Sequence, residues 1–337
     1  MPRINTERIT VNIRLIHQEP RENRHLIGTS RFNSSKLLLF ILYFTDAMTE
    51  KTITEKISSL VAIVQMKSSK NKKENLNLSI AYIKEAAKKK ACLICFPEFQ
   101  MAFSPYSQSA KQLAKLAEAA NSGNFISSIC SAAKHNKISV VATIYEKNEI
   151  KNKNHPNYNR VYDTAIIVNS KGVVTSVYRK LHLYDALGFK ESTKMMQGNT
   201  IEKPIKTSAG KIGLMICYDI RFPEMSRILA VNGAEVLVTP SAWVRGIMKE
   251  EHWQTLLKAR AIENGMYIVA PDQIGNIFCG RSMVIDPFGA VILDMGYKEG
   301  MEIVEIDKSR VHKVRESLPL LKNRRLDVYR DNVSVFS

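Results

Sequence analysis

A cysteine at the end of an apolar run is the residue of this 337-residue chain whose position best suits chemistry. Residues 211–216 lead into Cys217, and a polar stretch that favours a helix follows it. This pattern predicts a thiol on a sharp turn between a strand and a helix. The positive end of a helix favours a thiolate, and its free N–H groups can bind an oxyanion. Cys217 is therefore a candidate nucleophile, and the alternative is a small buried apolar residue.

Two other strand ends carry side chains that would complete such a site. Glu98 follows a buried run at residues 92–96, and Lys180 follows another predicted strand. Because α/β proteins assemble sites at the carboxyl ends of strands, we expect these side chains to converge with Cys217. In that arrangement the thiol attacks a carbonyl or nitrile carbon, and Glu98 transfers protons. Lys180 and the Tyr218 N–H stabilise the oxyanion, so the reaction requires neither a metal nor an organic cofactor.

A papain-like pairing of the cysteine with a histidine is the main alternative mechanism. His182 lies beside the strand end at Lys180, and His252 lies in a predicted helix. We favour structural roles for both histidines, because Glu98 and Lys180 already supply a base and a cation. Three aspartates are expected in turns or helix caps rather than in the chemistry: Asp163, Asp219 and Asp286.

The elements that must position these side chains alternate between strand and helix patterns after residue 58, which predicts a layered α/β protein. Several strands are apolar on both faces and therefore need cover on both sides. Helices are expected over residues 71–89, 108–120, 124–135, 223–232 and 249–264. A hairpin turn is expected at residues 169–172, where Gly172 supplies a positive φ, and a β meander over residues 282–306.

Six runs of the sequence resemble motifs of the nitrilase superfamily of carbon–nitrogen hydrolases. They lie at residues 96–99, 178–184, 213–224, 240–243, 252–264 and 282–289. The resemblance extends from about Leu60 to Tyr329. It implies a four-layer α-β-β-α sandwich and a catalytic triad of Glu98, Lys180 and Cys217. It also implies assembly as a homodimer or larger homo-oligomer, with the helix after the cysteine and residues 318–329 at the interface.

Within the superfamily the sequence is most similar to the amidase branch, which includes ω-amidases and deaminated-glutathione amidases. The runs 179–185, 217–224 and 318–329 carry this similarity. True nitrilases usually have Trp-Glu after the cysteine, whereas Tyr218 and Asp219 stand here, which favours an amide over a nitrile. The resemblance implies hydrolysis of a short, carboxylate-bearing amide to an acid and ammonia. The run 243–252 departs from the shorter form of well-characterised relatives, and we expect it to border the pocket.

Four further residues are candidates for supporting roles. Glu191 matches a second glutamate of the family, which positions the substrate and the lysine; the alternative is a surface glutamate at a helix start. Arg221 either pairs with a substrate carboxylate or forms a salt bridge with Glu224. Trp243 and Tyr106 either line the pocket or pack against apolar neighbours.

The sequence is compatible with four other functions. A nitrilase or an N-carbamoyl amino acid hydrolase would use the same fold. An acyltransferase would replace water by an amine. A non-catalytic basic binding protein would account for the net charge of +17 but would not need the triad. We interpret the charge as a lysine-rich solvated surface, because the lysines are spread over helix faces without interleaved aromatics. Neither nucleic acid nor a membrane is therefore expected as a partner.

The five cysteines are odd in number and scattered, which favours a reducing compartment and hence the cytoplasm. Cys92 and Cys95 form a C-x-x-C motif, but residues three apart in a strand point to opposite faces, so metal binding there is not expected. Residues 1–57 are interpreted as an extension, disordered or arising from a start codon placed upstream. Their apolar run at 37–44 is too short to span a bilayer, which takes about 20 residues. Residues 58–337 are expected to form the hydrolase domain.

Overall fold

The computed structural model describes residues 58–333, and the expected extension at residues 1–57 lies outside them. The first of two large sheets contains β1 (Ser58–Gln65), β2 (Leu93–Cys95), β3 (Ser139–Lys147), β4 (Val161–Val168), β5 (Val174–Arg179), β6 (Met195–Met196) and β15 (Gly300–Asp307). Its order is β15-β1-β2-β3-β4-β5, with β6 beside β4. The strands β1, β2 and β3 are parallel, and β3, β4 and β5 are antiparallel.

The second sheet has the order β14-β13-β10-β9-β8-β7. Its strands are β7 (Ile205–Thr207), β8 (Gly210–Leu214), β9 (Val236–Val238), β10 (Tyr267–Ala270), β13 (Met283–Ile285) and β14 (Val291–Asp294). β11 (Ile274–Gly275) and β12 (Phe278–Cys279) form a separate short hairpin. The parallel strands β8, β9 and β10 lie at the centre and direct their carboxyl ends to one edge.

Seven α-helices accompany these sheets in the described part of the chain. They are α1 (Lys72–Lys88), α2 (Ala110–Ala114), α3 (Asn124–Asn136), α4 (Pro223–Val231), α5 (Lys249–Asn264), α6 (Lys308–Ser317) and α7 (Leu326–Val333). Short 3-10 helices lie at Glu191–Thr193 and Cys217–Arg221. None of the helices within residues 58–333 is both long enough and apolar enough to cross a membrane.

The alternation of side chains along β1 shows how the layers are stacked. Val61 and Ile63 belong to an apolar cluster that also contains residues of the second sheet and of α4 and α5. Ala62 and Val64 belong to a second cluster, built with residues of α1 and α3. The two sheets therefore face each other, and helices cover both outer faces. The predicted four-layer α-β-β-α sandwich is confirmed.

One helix prediction is wrong in extent. Of residues 108–120 only α2 is helical, opened by a capping box at Ser109. The chain then turns back, because Glu118 adds to the edge of β3: its N–H donates to Tyr145 O, and its carbonyl accepts from Lys147 N. These sheet hydrogen bonds outweigh the helical pattern of the sequence. The sequence interpretation also omitted β6, β7, the β11–β12 hairpin, α6 and α7. The predicted β meander over residues 282–306 is wrong at its last strand, because β15 pairs with β1 of the first sheet.

Candidate active site

Cys217 lies on a strained turn at the end of a central strand. After β8 the chain passes through Met215 and Ile216, and Cys217 has a φ of 45°, in the left-handed region that non-glycine residues rarely adopt. Its N–H donates to Pro240 O at 2.9 Å, which fixes the turn beside the end of β9. Tyr218 is the second residue of the 3-10 helix that begins at Cys217, so its N–H has no acceptor within that helix. The predicted strand–turn–helix arrangement is confirmed, although α4 begins only at Pro223.

The resting state of the thiol differs from the sequence expectation. Burial raises the pKa of Cys217 well above its usual value, and the charge of Glu98 raises it further, against smaller opposing effects of Lys180 and a hydrogen bond with the Ala242 backbone. This direction opposes the thiolate-favouring effect expected of a helix start. A single turn of 3-10 helix carries a small dipole to set against the burial. A thiol with a raised pKa needs a base before it can act as a nucleophile.

Lys180 lies at the centre of a buried charged cluster. Its Nζ is 2.7 Å from Glu98 Oε1 and 2.9 Å from Glu191 Oε2. The side chains of Lys180 and Glu98 are 0% and 1% exposed. Burial opposes the charge of Lys180, but Glu191 and Glu98, with a smaller effect of Cys217, raise its pKa well above its ordinary value. The raised pKa favours the charged amine, and its charge acts on the Cys217 thiol.

The backbone around the cluster explains why these side chains converge. Lys180 directly follows β5, where its N–H donates to Asp163 O and its carbonyl accepts from Gly198 N, at 2.9 and 2.8 Å. Glu98 follows β2 by three residues, and its carbonyl accepts from Gln273 Nε2 at 2.9 Å. Strands β2 and β5 belong to the first sheet and Cys217 to the second, so the site lies between the two sheets.

Glu191 is not a freely exposed glutamate, although it does start a 3-10 helix. Its side chain is 16% exposed, and Oε2 accepts from Tyr184 N at 2.7 Å. Burial raises the pKa of Glu191, while Lys180 counteracts the shift. This placement suits the positioning role that the resemblance implied.

The cavity in front of Cys217 brings together most of the predicted supporting residues. Its wall includes Tyr218, Glu191, Trp243 and Tyr106. Trp243 is fully buried, with its indole N–H donating to Lys249 O at 2.7 Å, whereas Tyr106 is 72% exposed at the rim. The remaining wall combines further aromatic residues with aliphatic side chains, Ser104 and three lysines, Lys190, Lys194 and Lys249. It adds Phe99, Phe103, Tyr184, Phe189 and Phe278.

Arg221 lies beside this cavity rather than in its wall. Its guanidinium carbon is 4.8 Å from the centre of the Trp243 ring, and Nη2 is 3.5 Å from His252 Nδ1. Within residues 58–333 it forms no salt bridge, so the alternative pairing with Glu224 does not occur. The arginine is thus available to an anion.

His182, one of the two histidines of the alternative mechanism, lies in a structural position, whereas His252 is exposed on α5. His182 Nδ1 is 2.8 Å from Asp219 Oδ1, and its ring stacks on Phe222 with centroids 3.6 Å apart. Asp219 also accepts from Ile216 N at 2.9 Å, which fixes the turn before Cys217. The expectations of a structural His182 and of a capping Asp219 agree with these contacts. Asp286 likewise caps the turn at residues 287–290, accepting from Ala290 N.

Asp163 contradicts the sequence interpretation. It lies within β4, not in a turn, is 1% exposed, and its Oδ2 is 3.9 Å from Lys180 Nζ. Lys249 and Tyr184 are among the pocket residues that the sequence interpretation missed. Both occupy stretches that the sequence had already singled out, residues 243–252 and 178–184, but position alone could not show which way they point. The described residues contain no group of three or more His, Cys, Asp or Glu that could hold a metal.

Comparison with known proteins identifies the family. The model of the carbon–nitrogen hydrolase family matches residues 60–316, so the chain belongs to this family. It is 36% identical to mouse deaminated glutathione amidase over 80% of this chain and 84% of that protein. Identity to the Escherichia coli O157:H7 deaminated glutathione amidase is 34%, over 79% of this chain and 97% of that one.

Solved structures agree with this assignment. The yeast Nit3 structure superposes with a TM-score of 0.69 at 30% identity, over 80% of this chain and 97% of that one. The Caenorhabditis elegans NitFhit structure gives 0.73 at 31% identity, over 81% of this chain and 66% of that longer protein. The predicted membership of the amidase branch is confirmed, and the protein is a hydrolase of carbon–nitrogen bonds other than peptide bonds.

Proposed function

We propose that the protein is a cysteine amidase that hydrolyses a short, carboxylate-bearing amide to an acid and ammonia. The observation that carries the proposal is the buried Glu98–Lys180 pair, at 2.7 Å, whose charges act on the buried Cys217 thiol in the wall of the cavity. A protonated thiol needs a base within the site, and Glu98 is the carboxylate that acts most strongly on it. The names of the mouse and Escherichia coli relatives support an amide substrate.

The proposed reaction has two halves. As Sγ of Cys217 bonds to the amide carbon, Glu98 takes the thiol proton and the carbonyl π electrons move to oxygen. Lys180 and the Tyr218 N–H stabilise that oxyanion. Collapse breaks the C–N bond, Glu98 returns the proton to the leaving nitrogen, and ammonia departs from a thioester. Water then attacks the thioester, with Glu98 accepting its proton, and cleavage of the C–S bond releases the acid and the reprotonated thiol.

Ammonia release from the full chain tests this function. The panel holds α-ketoglutaramate, deaminated glutathione, acetamide, a carbamoyl amino acid and the matching nitriles. We expect ammonia from the carboxylate-bearing ω-amides and none from the nitriles. Cys217→Ala should lower turnover by about 10³-fold or more, while Cys130→Ala, a half-buried thiol outside the cavity, should not change it. Full activity in Cys217→Ala, or turnover of nitriles only, would contradict the proposal.

Two further variants test the roles within the triad. Glu98→Gln should lose turnover and should show no adduct of acyl mass on Cys217 in intact-protein mass spectrometry, because the thiol then keeps its proton and acylation is blocked. Lys180→Ala should lose activity, whereas His182→Ala should keep most of it. Retained activity in Lys180→Ala, together with lost activity in His182→Ala, would support the cysteine–histidine mechanism.

We also propose that the enzyme acts as a cytoplasmic homodimer. All five cysteines are free, as suits a reducing compartment. Residues 58–337 are proposed to form the hydrolase domain.

A further inference from the structure

Lys249, the first residue of α5, is a buried lysine in the wall of the cavity that holds Cys217. It is 5% exposed, and within residues 58–333 no carboxylate lies within 4 Å of its Nζ. Lysine is almost never buried to this extent without an acidic partner. The described contacts of its amine are weak. Nζ is 3.3 Å from Tyr184 OH and lies 4.5 Å from the centre of the Trp243 ring.

A second cation lies against the same indole. The Arg221 guanidinium carbon is 4.8 Å from the Trp243 centroid, and Arg221 also has no salt bridge within the described residues. Burial lowers the pKa of Lys249; Cys217 opposes this shift, and the charge of Arg221 adds a smaller lowering effect. An anion bound at Lys249 would reverse this shift and would compensate its charge. The fold thus keeps an uncompensated positive region close to the nucleophile.

We infer that Lys249, with Arg221, binds the carboxylate of the substrate and makes the enzyme selective for ω-amides that end in a carboxylate. This inference rests on the proposed amidase function and adds the residue that sets its substrate class. The amide carbon then lies at Cys217 and the carboxylate at Lys249, with the aromatic wall around the methylene chain between them. Tyr184 and Trp243 hold the ammonium in place before the substrate arrives.

The test compares two amides of similar length, glutaramate and the uncharged hexanamide, in the wild type and in Lys249→Met. Lys258→Met is the matched control, because Lys258 lies on the same helix outside the cavity wall. We expect Lys249→Met to lower kcat/KM for glutaramate by about 10- to 100-fold, mainly through KM, since it removes a charge-assisted contact. The value for hexanamide should change less than about threefold, as should both values in Lys258→Met. An equal loss on both amides, no loss on glutaramate, or a wild-type preference for hexanamide would overturn the inference.

A binding measurement separates failure of this inference from failure of the proposed reaction. Titration calorimetry of glutaramate into Cys217→Ala and into Cys217→Ala/Lys249→Met requires no turnover. Tighter binding to the single variant, by about tenfold or more, supports the carboxylate site even if the wild type releases no ammonia. Equal binding to both, or binding to neither, overturns the site whatever the activity.

Discussion

Asp163 adds a third carboxyl group to the surroundings of Lys180. Its Oδ2 has no hydrogen-bond partner in the described structure and stands 3.9 Å from Nζ, at the outer limit of an ion pair. Burial raises the pKa of Asp163 well above its ordinary value, and the charge of Glu98 raises it further, outweighing Lys180. Lys180 is already within 3.1 Å of two other carboxylates, and one cation cannot compensate three. We therefore expect Asp163 to be protonated in the folded protein.

The protonation of Asp163 predicts how Asp163→Asn changes stability with pH. A carboxyl whose pKa is raised by folding contributes its full stability below the unfolded pKa, near 3.8, and loses it as pH rises towards the folded value. The amide cannot ionise, so the free energy of unfolding of Asp163→Asn should rise relative to wild type above pH 4, by at most about 1.4 kcal/mol per pH unit. Urea unfolding between pH 4 and pH 8 measures this difference. A variant whose relative stability falls with pH would show that Asp163 is ionised and paired.

At the scale of elements, the β4–β5 hairpin depends on a glycine for two separate reasons. Gly172 has a φ of 77°, and a Cβ there would lie 2.5 Å from Cys130 O on α3. Gly188 has a similar φ of 85°, but a Cβ there would meet nothing within 4 Å. Alanine at either position would have to adopt an unfavourable backbone conformation. Only at Gly172 would its Cβ also clash with a neighbouring helix.

The comparison of the two glycines gives an element-scale prediction. Gly188→Ala should lower the free energy of unfolding by about 1 kcal/mol, the cost of a left-handed alanine. Gly172→Ala should cost about 2–4 kcal/mol, because α3 must also move away from the turn. Urea unfolding of both variants measures the difference. Equal losses would show that the hairpin and α3 do not pack as closely as the structure has them.

What the sequence could predict also depends on scale. Turns with a local signal were found, including the Asn169–Gly172 hairpin, because glycine and polar side chains fix them within a few residues. The end of α2 was missed because its cause, the pairing of Glu118 with β3, lies more than 20 residues away. At the candidate site, too, local sequence patterns predicted some features and could not predict those that depend on distant parts of the chain. Motifs located Glu98, Lys180 and Cys217, but the burial that raises the pKa of Cys217 and leaves Lys249 unpaired exists only once the two sheets have met.

At the scale of the whole molecule, α4 and α5 carry apolar side chains on the surface that faces away from the second sheet. Ile228, Val231 and Ile262 are 41%, 48% and 42% exposed, although helices of a monomer usually present polar residues there. The helix after the cysteine is also the element that the family resemblance places at the dimer interface. We propose that these side chains are covered by a second copy of the chain.

This proposal predicts a change of assembly on mutation. The full chain should sediment as a dimer at micromolar concentration, and Ile228→Glu/Ile262→Glu should shift it to a monomer, because the double variant would bury unpaired carboxylates at the interface. Val173→Glu is the control: Val173 is 54% exposed, but it lies at the β4–β5 turn of the other sheet. Sedimentation velocity measures all three. A monomeric wild type would contradict the proposed dimer. A double variant that still sediments as a dimer would place the interface elsewhere. The cavity with Cys217 lies at the strand ends, so dissociation by itself should leave the thiol with its Glu98–Lys180 partners.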